Sequence, residues 1–442
     1  MKCLIISSGN YHYNYGGGQI YVRNIVQRLI RENISITLLN AGYTGELSHR
    51  QNRVEIDDSE IDKITVNKDK VASGNEDGIK LLQDIIEKYK PDVIHAHALK
   101  AQAAEAANKQ GIPCIVTAHH GGILCPAGAL LNHRDEICKV RASHAECLPC
   151  VLRNIRTGAA LYHALRHIPR RVYIGAGKAL RRMPFIHFLT PLGTAAHSIE
   201  RKISEWGTIA RYAKLMIAPS IAIKNAMIRN GVDSEKVLIL PHGIPLHGKV
   251  PLEPGLQERP VRFFYTGRIN YNKGLHILLE AFAKLKGEAE LHIIGEAVTK
   301  PEKKYMRRLT LAYSKNTIFW HGKVQYDGIT NRIAQYDVMV HPAIYVEIFG
   351  LTIAEALDIG RPVIATRCGG PEMQIKDGEN GLLVKTNDVQ DLKNAMQYVL
   401  DNRDEIRNFI RKSNDVISIE EHTHQLIKIY ESVAKKAVVD RC

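Results

Sequence analysis

The stretch Glu347-Ile348-Phe349-Gly350-Leu351-Thr352-Ile353-Ala354-Glu355 decides how the second half of the chain is read. Two carboxylates flank an apolar turn that follows the strand-like Asp337-Val338-Met339-Val340-His341-Pro342. Leu351, Ala354, Leu357 and Ile359 then recur at near-helical spacing, which puts Glu347 on a strand-to-helix loop and Glu355 about one turn inside the helix. Both acids can face one ligand. A helix start also aims backbone N–H groups outward, here those of Phe349, Gly350 and Leu351, and so favours an anion such as phosphate. Taken alone, the pair equally fits solvated acids at a helix N-terminus.

Upstream lies a second strand end, Gly267-Arg268-Ile269-Asn270-Tyr271-Asn272-Lys273-Gly274. Arg268 and Lys273 can close on a diphosphate from one side while the Gly350–Leu351 amides close from the other. Between and around these stretches strand and helix patterns alternate from Arg262 to Thr366. That alternation predicts a parallel, doubly wound sheet.

The amino-terminal half repeats the pattern, with buried-strand runs at Cys3–Ser8, Ile36–Leu39, Asp92–His97 and Cys114–Thr117 and amphipathic helices between them. Its first strand end carries Tyr15-Gly16-Gly17-Gly18-Gln19, glycines that let backbone amides approach an anion or simply make a flexible turn. The spacing is neither a GxGxxG dinucleotide fingerprint nor a GxxxxGK[ST] phosphate loop, which argues against NAD and ATP enzymes. Other strand ends carry His95, His97, His119 and His120, each as suited to structure as to a sugar, a phosphate or a proton.

With 442 residues, 45% hydrophobic and 24% charged, the chain has the length and composition of a soluble protein of two domains. Met1-Lys2 runs directly into a strand, and the longest weakly charged run, Met183 to Ile199, is too polar to span a bilayer. The expected location is cytoplasmic. Net charge is +14, and Cys147 to Ile199 contains no acid while Arg153, Arg156, Arg166, Arg170, Arg171, Lys178, Arg181 and Arg182 alternate with apolar residues. Such a segment suits an anionic membrane surface, nucleic acid, or plain solvation. Cys125, Cys138, Cys147 and Cys150, the last two as Cys-Leu-Pro-Cys, can close a structural zinc site, with packing thiols and disulfide or redox roles as alternatives.

Taken together, these motifs resemble the retaining glycosyltransferases of family 4, also described as glycosyl transferases group 1. The likeness rests on Gly267-Arg268 with Lys273-Gly274, Glu347-x7-Glu355 around Phe349-Gly350-Leu351, Gly360-x-Pro362-Val363, Gly369-Gly370-x-Glu372 and Asp377-Gly378-x-Asn380-Gly381, in that order. It implies an α/β fold of the GT-B type, with two Rossmann-like parallel-sheet domains facing across a cleft. The expected division is residues 1–245 for the acceptor domain with a Cys-containing basic insertion at about 121–213, then a linker over 246–260. Residues 261–418 form the nucleotide-sugar donor domain, and 419–442 a terminal helix packing back on the first domain.

The resemblance further implies that Arg268 and Lys273 bind the donor diphosphate, that Glu347 contacts the transferred sugar, and that Glu355 contacts the ribose. Gly17 and Gly18 match the amino-terminal glycine loop, and His119 the histidine of the catalytic pocket. The implied activity is transfer of a sugar from a nucleotide-diphosphate sugar to a glycan or lipid-linked hydroxyl, with no metal required for catalysis and often a peripheral place at the inner face of a membrane. His120, where many relatives have an acid, and His242-Gly243-Ile244-Pro245, in place of Asn-Gly-Val-Asp, depart from the pattern on the acceptor side and hinge. The rivals are a GT-B sugar-nucleotide epimerase and a non-catalytic nucleic-acid or zinc-binding protein. No nucleic-acid partner is expected, because charge and cysteine spacing are weaker signals than paired phosphate and sugar motifs.

Overall fold

A computed structural model describes residues 1–8, 16–42, 50–56, 59–72, 76–154, 190–412 and 416–439. The basic residues from Arg156 to Arg182 lie outside the described residues. The chain divides into two compact units, the first made of Met1–His133, Lys139–Gly243 and Ile419–Cys442, the second of Arg134–Cys138 and Ile244–Ser418.

The first unit runs β1 (Lys2–Ser8), α1 (Gly17–Arg31), β2 (Ser35–Gly42), β3 (Arg50–Ile56), β4 (Ser59–Asn67), α2 (Lys68–Ala72), α3 (Glu76–Tyr89), β5 (Val93–Ala96), α4 (Lys100–Lys109) and β6 (Cys114–Thr117). It continues with α5 (His144–Asn154), α6 (Thr190–Tyr212), β7 (Leu215–Ala218), α7 (Ile221–Arg229) and β8 (Val237–Ile239). The eight strands lie in the order β3-β4-β2-β1-β5-β6-β7-β8. All pairings are parallel except β3 with β4.

β1 sits at the centre because Cys3, Leu4, Ile5 and Ile6 are apolar on both faces, as a strand covered by helices on either side must be. Tyr21, Val22, Ile25, Val26 and Leu29 form the buried stripe of α1 and pack into the same core. The charge-rich segment Arg50–Asn67 forms the β3–β4 hairpin at the sheet edge.

The second unit runs β9 (Val261–Thr266), α8 (Leu275–Ala283), β10 (Ala289–Ile294), α9 (Lys300–Ala312), β11 (Ile318–Gly322), α10 (Tyr326–Ile333) and β12 (Val338–His341). Then follow α11 (Leu351–Asp358), β13 (Val363–Thr366), β14 (Gly381–Val384), α12 (Val389–Asp401) and α13 (Asp404–Lys412). Its six strands are parallel, in the order β11-β10-β9-β12-β13-β14. The terminal helix α14 (Ile419–Val439) belongs to the first unit, where Leu426, Tyr430 and Val433 join the core beneath α1.

Each sheet has a switch point where chain progression reverses: β1 beside β5 in the first unit, β9 beside β12 in the second. Crevices beyond the carboxyl ends of such strand pairs are where open α/β sheets take ligands.

The Pro- and Gly-rich segment expected to be a linker is fastened to the second unit. Arg361, fully buried, donates from Nη1 to the carbonyls of Val250 and Ile359 and from Nη2 to those of Ala334 and Pro251, at 2.6 to 3.2 Å. Among the described residues no helix is long and apolar enough to cross a membrane.

Candidate functional site

At the β9/β12 switch point, the turn after β9 places Lys273. Asn270 caps it, its Oδ1 accepting from the Lys273 amide at 3.1 Å. Gly274 then turns with φ +70°, and a Cβ there would sit 1.9 Å from the Pro342 carbonyl oxygen. Only glycine lets the chain after β9 press so closely on the chain after β12. The Ile344 amide donates to the Asn272 carbonyl across the same junction at 2.9 Å.

The result is a charged knot. Oε2 of Glu347 accepts from Lys273 Nζ at 2.6 Å, from the Tyr345 hydroxyl at 2.9 Å and from His341 Nε2 at 3.1 Å. Because a carboxylate only accepts, His341 carries its proton on Nε2. Burial pushes Glu347 up, but Lys273 and His341 outweigh it and hold the carboxyl well below its ordinary range. For Lys273 burial pulls down and Glu347 more than offsets it, so the ammonium stays charged. Both partners point to one ionised pair.

The backbone of Glu347 is fixed from the next strand as well: its amide donates to the Cys368 carbonyl at 2.9 Å, and its carbonyl accepts from the Gly370 amide at 2.8 Å. Thus the Gly369-Gly370 motif braces the acid. Gly350 caps α11, and the amides of Leu351 and Thr352, as its first residues, have no intrahelical acceptor. Phe349 is buried against Ile244 and Ala354, so its ring is a packing residue. Glu355 lies one turn into α11, half-buried and with no ion pair to a described residue, and burial pushes its carboxyl up to about 8.

Arg268, expected beside Lys273, points to a different acid. Its Nε and Nη2 donate to Oε1 and Oε2 of Glu302 at 2.9 and 3.1 Å, near the start of α9. Glu302 also caps that helix, accepting from the Thr299 amide at 2.9 Å. Arg268 is half exposed, so this pair is weak enough to open for a ligand.

The β1/β5 switch point of the first unit is built almost entirely from neutral groups. His97 follows β5 and His119 follows β6, and His97 Nδ1 lies 2.7 Å from His119 Nε2. The ring of Tyr21 of α1 lies 4.0 Å, centroid to centroid, from that of His242, tilted by 35°, and 5.3 Å from that of His119. α14 closes the cluster: His422 Nδ1 lies 2.7 Å from the Pro241 carbonyl, so it donates there and accepts from the Tyr21 hydroxyl on Nε2 at 2.7 Å. His95 lies between the Tyr430 hydroxyl at 2.6 Å and Thr117 Oγ1 at 2.7 Å. Burial, then neighbouring imidazoles and Lys100, hold His97 and His119 well below their usual value. The same causes push His95 down to about 3.

The glycine loop meets this cluster. A Cβ on Gly18 would stand 3.2 Å from Cβ and 3.6 Å from Nδ1 of His119. Sequence reasoning singled out His97 and His119 but not Tyr21, His422 or Tyr430, which arrive from helices. It also passed over His341 and Tyr345, whose only signal is their place between a strand end and Glu347.

Among the described residues no group of three His, Cys, Asp or Glu side chains that could hold a metal ion is found. The Cys-Leu-Pro-Cys pair lies on α5, where Cys147 packs as a small apolar residue with Leu148, Val151, Leu152, Ala195 and Ile199.

Comparison with known proteins matches the description "Glycosyl transferases group 1" over residues 251–416 and "Glycosyltransferase Family 4" over residues 15–147. The sulfoquinovosyl transferase of Arabidopsis thaliana is 31% identical over 46% of this chain and 41% of its own length. The chain therefore spans less than half of that relative. A sucrose-phosphate synthase from Thermosynechococcus elongatus superposes with a TM-score of 0.68 at 18% identity, covering 98% of both chains. Anabaena HepE, solved with UDP and glucose, superposes at 0.63 and 15% identity, over 98% of this chain and 100% of its own. At these identities the structural likeness establishes the GT-B fold.

Proposed function

The chain belongs to the family 4 glycosyltransferases, and from that premise we propose that it moves a sugar from a nucleoside-diphosphate sugar to a hydroxyl acceptor with retention of configuration. The observation that carries this is the Lys273–Glu347 pair at the switch point of the second sheet, beside the start of α11. Lys273 and the Leu351 amide bind the diphosphate, Arg268 swings from Glu302 to join them, Glu347 holds sugar hydroxyls and Glu355 holds the ribose. On the first unit, Gly17, Gly18 and His119 serve the reacting end and the acceptor.

In the step itself the acceptor oxygen bonds to the anomeric carbon as the bond from that carbon to the phosphate oxygen breaks. The acceptor proton passes to the departing diphosphate. Charge growing on that diphosphate is met by fixed cations and amides, the preorganised electrostatic contribution that commonly dominates such reactions. Glu347 is an anchor here: three donors on Oε2 and a depressed pKa make it a poor nucleophile, while Oε1 makes no hydrogen bond to a described residue and can accept a sugar hydroxyl.

The acid-free basic stretch from Cys147 to Ile199 supports a glycan- or lipid-linked acceptor reached at an anionic membrane surface. A panel of nucleoside-diphosphate sugars, scored for thermal stabilisation and slow acceptor-free hydrolysis, tests the proposal. One donor should stabilise the chain and be hydrolysed to its sugar and nucleoside diphosphate. If no donor does either, or if the product is an epimerised sugar, transfer is the wrong reaction.

A further inference from the structure

The Gly369-Gly370 turn and the motif Asp377-Gly378-x-Asn380-Gly381 converge on one side chain between them, Gln374. Asn380 is buried, its Oδ1 accepting from the Lys376 amide at 2.8 Å and its Nδ2 donating to the Gln374 carbonyl at 3.0 Å. The Gln374 amide donates to the Pro371 carbonyl at 3.0 Å, so its backbone is held on both sides. Gly370 has no side chain to keep this turn away from Phe349, and a Cβ there would overlap the Phe349 carbonyl. Gln374 thus reaches the chain just before α11. Its Nε2 donates to the Phe349 carbonyl at 2.5 Å, with the Gly350 carbonyl 3.4 Å away. Both neighbours only accept, so the nitrogen and not the oxygen of the side chain faces them.

Holding that carbonyl also sets the next amide. The Phe349 C=O and the Gly350 N–H lie in one rigid peptide plane and point in opposite directions. With the carbonyl turned to Gln374, the Gly350 N–H points away from it, and no described residue accepts from that N–H. The Leu351 amide is likewise without an acceptor, but its plane is fixed by the helix, because the Gly350 carbonyl accepts from the Ile353 amide at 2.9 Å. The Phe349–Gly350 plane is different. Gly350 sits at φ +90°, and a glycine takes either sign of φ, so its own stereochemistry lets the plane turn over. Turned over, the plane would present a carbonyl oxygen where the N–H now stands, and would repel an anion. Oε1 of Gln374 is buried without a partner. A buried oxygen left unpaired destabilises a fold, so packing alone does not account for a glutamine here.

We propose that Gln374 is a positioning residue that, by holding the Phe349 carbonyl, keeps the Gly350 N–H aimed with the Leu351 N–H at the diphosphate of the donor. This rests on the transferase reading of the site.

The test compares nucleoside diphosphates with the bare nucleosides, because only the former have phosphates for the amide to hold. UDP and uridine, ADP and adenosine, and GDP and guanosine are titrated calorimetrically into the full chain. The wild type should bind one diphosphate far more tightly than its nucleoside. Gln374→Met, similar in length but unable to donate, should weaken that diphosphate by about 10-fold and leave the nucleoside within about 2-fold. Gln374→Glu, whose carboxylate only accepts, should lose at least as much. Both should also lower kcat with a donor built on that nucleotide, since charge grows on the diphosphate as it leaves. An equal loss for nucleoside and diphosphate would make Gln374 a packing residue and overturn the proposal, as would an unchanged diphosphate affinity in either variant. A wild type that prefers no diphosphate over its nucleoside would instead remove the transferase reading, and the proposal with it.

Discussion

The two switch-point sites share a topology and differ in electrostatics. In the second unit an ammonium and a carboxylate 2.6 Å apart are held charged. In the first, His95, His97, His119, His242 and His422 are all held neutral by burial, and the Tyr21 and Tyr430 hydroxyls bind two of them. Burying an ion pair costs several kcal/mol per charge and is recovered only with close geometry and further hydrogen bonds. Here Tyr345 and His341 supply them. A cluster of neutral rings avoids that cost, provided each proton finds an acceptor. Parallel-sheet topology fixes where a site lies, and the residues at the strand ends fix what it can hold.

The largest effect should come from breaking the charged side of this contrast. Lys273→Ala leaves the Glu347 carboxylate buried with no cation, which costs about 3–5 kcal/mol of stability. It also removes a cation from the departing diphosphate, so kcat/KM should fall by roughly 10²–10³-fold. Steady-state kinetics and denaturant unfolding measure the two losses. Turnover near wild type with saturating donor would place the phosphates elsewhere.

Glu355 gives an intermediate effect and belongs to neither pattern: it is an acid held neutral beside an acid held charged. Its carboxyl is pushed up to about 8 by burial. Ribose hydroxyls donate to the ionised form and so lower that pKa when donor binds. Donor binding should therefore release a proton, and affinity should rise as pH increases toward about 8 and level off above it. The slope is at most about tenfold per pH unit for one proton. Calorimetric titration of nucleoside diphosphate from pH 6 to pH 9 measures it, and Glu355→Gln should flatten the curve. An equal slope in wild type and variant would remove Glu355 from the ribose site.

The difference between the sites also explains what could be read from the chain. The second site was legible because its parts are local: Gly267 to Gly274 is one strand end, Glu347 to Glu355 another, and parallel winding brings them together. Lys273 and Glu347 lie 74 positions apart, but each sits next to a motif with its own signature. In the first site Tyr21 and His422 are 401 positions apart and Tyr430 and His95 are 335 apart. No spacing rule joins a terminal helix to a strand end, so only the histidines at strand ends could be nominated. Two features could not be read from composition: that Arg361, far downstream, donates to the carbonyls of Val250 and Pro251, and that Cys147 on α5 packs among apolar side chains.

The smallest effect concerns Arg268, the cation that stands outside the charged knot. Its guanidinium is bidentate to Glu302 but half exposed, and exposed pairs contribute about 0–1 kcal/mol. If Arg268 leaves Glu302 to reach the diphosphate, that contact is a cost of donor binding, and removing it should help. Glu302→Gln should then tighten donor binding by no more than about 5-fold, since 1 kcal/mol corresponds to that factor. The Gln side chain can still accept from the Thr299 amide, so the cap of α9 is kept. Arg268→Ala should weaken binding, and the pair of variants read by donor Kd at low and high salt separates the two roles. Tighter binding in Glu302→Gln that vanishes in the Arg268→Ala background means the arginine is shared between acid and phosphate. If Glu302→Gln weakens binding instead, Glu302 is the residue that orients Arg268, and the two charges act together as part of the site.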